Sequence, residues 1–193
     1  MRRLLLAAVC ALPLMGLSLP AAQAQEAEGL VKTLDGPLLQ AFIDDTQRIL
    51  AGEDPRYVTT DEIANYFVNH MTDDADIKTI LKYELDDYKG ETQALFNKQQ
   101  ILGYALSGQR TMSEYKNSST LKSADISADG RSAKVQIDIH ETGLMSINSQ
   151  SGSPISVMVQ AESQCVHDVV LSWNHFMQLK KADCTTVVRP LSQ

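Results

Sequence analysis

Residues 155–188 read ISVMVQAESQCVHDVVLSWNHFMQLKKADCTTVV, two strand-like runs on either side of a Trp-Asn-His-Phe turn. Cys165 stands nine residues before Asn174, and Cys184 stands nine residues after His175. Folding the chain back at Asn174-His175 therefore sets the two sulfurs opposite each other. The same register places Asp168 across from Lys181 and Val170 across from Leu179, which are the opposite-charge and apolar pairs that stabilise an antiparallel ladder. A cross-strand Cys165–Cys184 disulfide follows. It closes a loop of 20 residues and on the chain-entropy model contributes roughly 3 kcal/mol.

A disulfide requires an oxidising compartment, and the first 24 residues supply the address. Met1-Arg2-Arg3 is a basic n-region, Leu4 to Leu19 an apolar h-region, and Ala22-Gln23-Ala24 a small-x-small cleavage site, together the pattern of a secretory signal peptide. As a helix the apolar run is about 25 Å long, short of a roughly 30 Å hydrocarbon core, and Pro13 and Gly16 interrupt it. Cys10 leaves with the signal, so the exported chain keeps two cysteines. An even number in an exported chain favours a structural bridge over a metal or redox site. The expected location is the bacterial periplasm or outside the cell, with no membrane span after cleavage.

Loss of Arg2 and Arg3 lowers the 17 basic residues to 15, against 24 acidic ones. That balance repels phosphate-rich partners, and no basic cluster offsets it, so nucleic-acid binding is excluded. The remaining chain has the length of one ordinary domain. A polar, disordered tail is expected over residues 25–34, followed by a single α+β domain over 35–190.

Within that domain the helical signals come first. Asp35-Gly36-Pro37 opens a helix with Leu38, Leu39, Phe42, Ile43, Ile49 and Leu50 on one face, and Gly52 stops it. Thr59-x-x-Glu62 has capping-box spacing ahead of Ile63, Tyr66, Phe67, His70 and Met71. His70, at the end of that helix, reads as a charge complement or a half-buried core residue. Thr72 to Asp76 is rich in carboxylates but lacks the glycine and distal glutamate of a calcium loop. Ile77 to Tyr88 fits either period and is read as a helix, because Lys78, Lys82, Glu84, Asp86 and Asp87 suit an exposed helical side. A further helix runs from about Asn97 to Leu106.

From Thr111 the period becomes two. Asp129-Gly130 supplies a hairpin turn, after which Ala133, Val135, Ile137 and Ile139 alternate with polar residues. Ile155, Val157, Val159 and Ala161 resume the alternation. Helices before strands give an α+β domain, with N-terminal helices packed on a curved antiparallel sheet of four or more strands.

The late helix Asn97-Lys-Gln-Gln-Ile-Leu-Gly-Tyr-Ala-Leu106, the hairpin around Ala128-Asp-Gly-Arg131 leading to Ile137, and the long final hairpin together resemble the nuclear transport factor 2-like superfamily, which includes the SnoaL-type polyketide cyclase-like proteins. The resemblance spans Leu38 to Val188. It implies a cone-shaped roll in which a curved sheet wraps around helices and leaves a pocket open at one end. The superfamily contains isomerases, dehydratases and epoxide hydrolases beside members that only bind, so the fold does not select a function. No catalytic set of those enzymes aligns with this chain.

His167 shares strand parity with Val157, Val159, Cys165 and Val169, so its imidazole is expected to face the core, where it could act as a general acid or base. Tyr66, Tyr104 and Tyr115 are candidates to bring hydroxyls to the same pocket. Trp173, His175 and Phe176 at the hairpin tip are candidate interface anchors, unless the tip folds against its own domain. Asp138, His140 and Glu141 belong to a wet sheet face. Serine hydrolase, nucleotide-binding and zinc-protease motifs are absent, and no metal or cofactor is called for. Two functions remain in view. One is a binding or interaction module for a small apolar molecule or an envelope protein, with a homodimer left open. The other is an acid/base enzyme of isomerase, dehydratase or cyclase type using His167.

Overall fold

The computed structural model describes residues 31–86, 88–107, 112–148 and 154–191; the stretch read as a signal peptide lies outside these. Helix α1 (Gly36–Ala51) is capped by the Asp35 carboxylate, which accepts from Leu38 N–H, and ends at Gly52 with φ of 65°, a left-handed conformation suited to glycine. Helix α2 (Thr60–His70) starts at the expected capping box, with Thr59 and Glu62 exchanging bonds. Helix α3 (Lys98–Ser107) occupies the stretch foreseen for it.

Six strands follow the chain as β1 (Met71–Glu84), β2 (Lys89–Asn97), β3 (Met112–Ile126), β4 (Ser132–Asn148), β5 (Pro154–Leu171) and β6 (Met177–Pro190). They form one curved, unclosed sheet in the order β2-β1-β6-β5-β4-β3. The pairings are antiparallel except β1 with β6, which is parallel. The main core lies between the three helices and the concave face, where Leu39, Phe42, Phe67, Val135, Ile137 and Val169 are buried. A smaller cluster of Leu85, Met112, Val159, Ala161 and Val188 fills another part of the same sheet.

Three expectations change. The segment from Ile77, read as a helix, is strand: β1 pairs Ile77 with Phe96 of β2 and with Ala182 of β6. Its alternation of Ile77, Thr79, Leu81 and Tyr83 was the true period, and two neighbouring strands outweigh the helical propensity of its charged residues. Residues 31–34, expected in the tail, are packed: Val31 and Leu34 are buried. Val31 N–H donates to the His175 carbonyl at 2.8 Å, and Leu34 N–H donates to the Gly130 carbonyl at 2.8 Å. Two apolar side chains in an otherwise polar stretch are enough to dock it. Finally, the C-terminal hairpin keeps the expected register at Cys165–Cys184 and Asp168–Lys181, but a bulge then pairs Val169 with Leu179 and Val170 with Gln178. The extra residue, Lys180, is exposed, and such a bulge lets the hairpin twist.

Cys165 and Cys184 form the disulfide, with Cα atoms 4.1 Å apart. Among the described residues, no helix is long and apolar enough to cross a membrane.

Candidate functional site

The concave face of the sheet does not close completely onto the helices. A cavity of about 210 Å³ remains between α1 and α2 on one side and β1, β4, β5 and β6 on the other. Its wall is largely aliphatic and aromatic, with Phe42, Leu50, Ile77, Phe96, Ile101, Ile139 and Leu179 contributing. Four groups of chemical interest interrupt that wall: Tyr66, His70, His167 and the sulfur-bearing Cys184.

Strand parity brings His167 there. Ser163, Cys165, His167 and Val169 are all buried, while Glu162, Gln164 and Val166 between them are exposed. The imidazole is buried, and burial holds it neutral down to about pH 4, with the Asp168 carboxylate offsetting a little of this. Its Nε2 lies 3.9 Å from Cys184 Sγ.

His70 reaches the same cavity from the last turn of α2. Its Nδ1 is 2.9 Å from the Met177 carbonyl oxygen. A carbonyl can only accept, so Nδ1 carries the proton and the neutral ring keeps its lone pair on Nε2. Burial lowers its affinity for a second proton, an effect that the bond to Met177 and the charge of Asp45 partly oppose. Tyr66 stacks on this ring, centroids 4.4 Å apart, and Phe176 meets it edge-on at 5.5 Å. The Tyr66 hydroxyl is 2.7 Å from Thr46 Oγ1, which itself donates to the Phe42 carbonyl. Thr46 has one proton to give, so Tyr66 is the donor in its own bond. Burial pushes this phenol above the ordinary tyrosine range.

The expected site residues thus divide. His167 and Tyr66 share the cavity, joined by His70, which the sequence reading left as a helix-end residue. Its one signal was a place on the apolar face of α2. Tyr104 lines a different, more open groove of about 390 Å³, between the end of α1, residues 53–63 and the end of α3. That groove is larger, but it holds no imidazole, and its buried carboxylate, Asp54, is already bound by Arg56 through Nε and Nη2. Tyr115 packs against the smaller core cluster and donates to the Glu141 carboxylate. Burial first, and then that negative charge, raise its pKa. At the hairpin tip, Trp173 is 89 % exposed. His175 and Phe176 turn inward instead: His175 Nδ1–H donates to the Val31 carbonyl at 2.9 Å, and Phe176 rests on His70.

No family model matches the sequence, and no curated protein does. Solved structures do. A type 2 hexachlorocyclohexane dehydrochlorinase, LinA, superposes with a TM-score of 0.51 at 13 % identity, covering 89 % of this chain and 91 % of its own. A ketosteroid isomerase-like protein from Erwinia carotovora atroseptica gives 0.37 at 16 % identity over 80 % of this chain and 97 % of its own. An NTF-2 like protein of unknown function from Pseudomonas aeruginosa gives 0.44 at 8 % identity over 78 % and 94 %. At such identities the likeness is one of fold. With three helices set against a curved, unclosed six-stranded sheet, the chain shares the α+β fold of that dehydrochlorinase, and this is the cone-shaped roll expected from the resemblance to the nuclear transport factor 2-like superfamily.

Proposed function

We propose that this chain is an exported binding protein that takes a small, uncharged and mainly apolar molecule into the cavity beneath α1 and α2. The observation that carries the reading is how the wall spends its polar groups. The Tyr66 hydroxyl is bound to Thr46, and His70 Nδ1–H is bound to the Met177 carbonyl, while both imidazoles are held neutral by burial. What faces the cavity is therefore chiefly hydrocarbon with no fixed charge, which favours an apolar guest and penalises an ion. At about 210 Å³ the space is below the 300–1,000 Å³ or so typical of drug-sized sites, so a guest on the scale of one aromatic ring fits best. The disulfide and the basic-apolar leader support export.

The test is a methyl-detected NMR titration with toluene, 4-methylphenol and benzoate. Toluene and 4-methylphenol should shift the Ile139, Leu179 and Ala182 methyls, and benzoate should not. The substitution Ile101→Trp, which fills the cavity from α3, should abolish those shifts. Shifts that survive Ile101→Trp, or that benzoate produces equally, would show that the guest sits elsewhere.

One observation favours a second reading, acid/base catalysis: His70 presents an unprotonated Nε2 from the same wall as His167. Under that reading His167→Ala would abolish turnover of a bound guest while leaving its affinity nearly unchanged.

A further inference from the structure

We propose that, once the Cys165–Cys184 bond is reduced, the two sulfurs and His167 form a three-ligand site for a thiophilic d10 cation, zinc or cuprous copper, with its fourth coordination position open to the cavity. The argument starts from the backbone. Cys165 and Cys184 are directly opposed on β5 and β6, and His167 stands opposite Ala182. Two residues along a strand returns a side chain to the same face, so all three side chains project together. The small Ala182 leaves the imidazole room to lean toward Cys184.

One donor atom from each residue lies within 4.8 Å of the other two, and His167 Nε2 is 3.9 Å from Cys184 Sγ. A tetrahedral ion with sulfur at about 2.3 Å and nitrogen at about 2.0 Å has ligand-to-ligand edges of roughly 3.5–3.8 Å. The imidazole therefore already stands near ligand distance from one sulfur, and reduction lets both sulfurs turn about their Cα–Cβ bonds. Each of the two strands is paired on both sides, β5 by β4 and β6, and β6 by β5 and β1. The frame is held by the sheet as well as by the bridge.

The donor set chooses the ion. Two thiolates and an imidazole, with the neighbouring Asp168 side chain on the opposite face, suit zinc or cuprous copper over magnesium or calcium. His167 and Cys184 line the cavity, so the position left open by three protein ligands faces it. Water or a bound guest would complete the tetrahedron there. Atoms and charge balance simply. A dithiol reductant gives two electrons and two protons to the disulfide and becomes a disulfide itself; the cation then displaces both cysteine protons to solvent. The oxidised pair has no thiolate to offer and does not bind.

The test uses the purified whole chain, reduced and desalted under nitrogen. Added Co²⁺ should produce a thiolate-to-cobalt charge-transfer band and tetrahedral d–d bands that saturate at one ion per chain and vanish on adding Zn²⁺. Competition of Cu⁺ against a cuprous chelator then tells which of the two ions is held more tightly. The oxidised chain should give neither signal, and Cys184→Ser should lose the charge-transfer intensity. His167→Gln should weaken binding about tenfold or more, since even an outer partner of a metal ligand is commonly worth 10–100-fold. Coupling of ¹¹³Cd to ¹⁵Nε2 of His167 in the unsubstituted reduced chain reads ligation directly, whatever the variants do. Either of two results overturns the site: equal binding by the oxidised chain, or absence of that coupling.

Discussion

His167 shows how one side chain ties stability to acidity. An unfolded imidazole takes a proton near pH 6.5, whereas the buried His167 does so only near pH 4. Between those values the unfolded chain binds the extra proton and the folded chain does not, so stability is full above pH 6.5 and falls as the solution is acidified. By pH 5 His167 alone should cost about 2 kcal/mol, with His70 adding in the same direction. Urea unfolding at pH 7.5 and pH 5 should therefore show a larger acid loss for the natural chain than for His167→Gln. Identical losses would mean the ring is hydrated in the folded state. Strand parity alone made the inward placement of His167 legible. Tyr66 was also read as a pocket residue, but its stacking on His70 and the arrival of His70 itself were not legible, because they depend on which helix lies over which strand. Tyr115 and Tyr104 sit on equally plausible apolar positions and end up elsewhere for the same reason.

Among the elements, the junction of α2 with β1 is held from a distance. The last carbonyls of α2 have no partner within the helix, and no glycine ends it. The Lys98 ammonium, from the first residue of α3, fills the gap. It donates to the Val68 carbonyl at 3.1 Å, the Met71 carbonyl at 2.9 Å and the Asp73 carboxylate at 2.9 Å. A cation at a helix C-terminus also complements its dipole. The stem of Lys98 is buried, so Lys98→Met keeps the packing and removes only the charge and donors. Such a change should cost about 1–3 kcal/mol, the penalty of buried acceptors left without a donor, read as a lower urea midpoint with an unchanged slope. A cost near zero would show that water replaces the ammonium. Propensity reading could find the capping box of α2, because Thr59 and Glu62 are three residues apart. It could not find a cap supplied from 27 residues downstream. The same limit explains β1, whose two periods are a tie until β2 and β6 settle it.

At the scale of the whole molecule, packed N-terminal residues join the tips of two hairpins. Thr33 lies against Gly130, where an added Cβ would approach the Thr33 side chain to 3.0 Å and φ is 66°, so the β3–β4 turn requires glycine both for its conformation and for this approach. Fold class, the disulfide and the α+β order were readable because they rest on neighbours in sequence and on one symmetric spacing. The β1–β6 seam was not, since nothing local in either strand names the other. That seam also sets an order of events. The ladders β3–β4, β4–β5 and β5–β6 join neighbours along the chain and have short loops to close, whereas β1 must wait for the distant β6, and such long-range closures slow assembly. Substitutions such as Val135→Ala in β4 should therefore retard refolding, while Ile77→Val in β1 should chiefly hasten unfolding, a contrast that stopped-flow chevrons would reverse if β1 nucleated first. Joined along this one seam, the molecule works as a clasp: the four-stranded meander β3 to β6 can stand while β1 and β2 are still adrift.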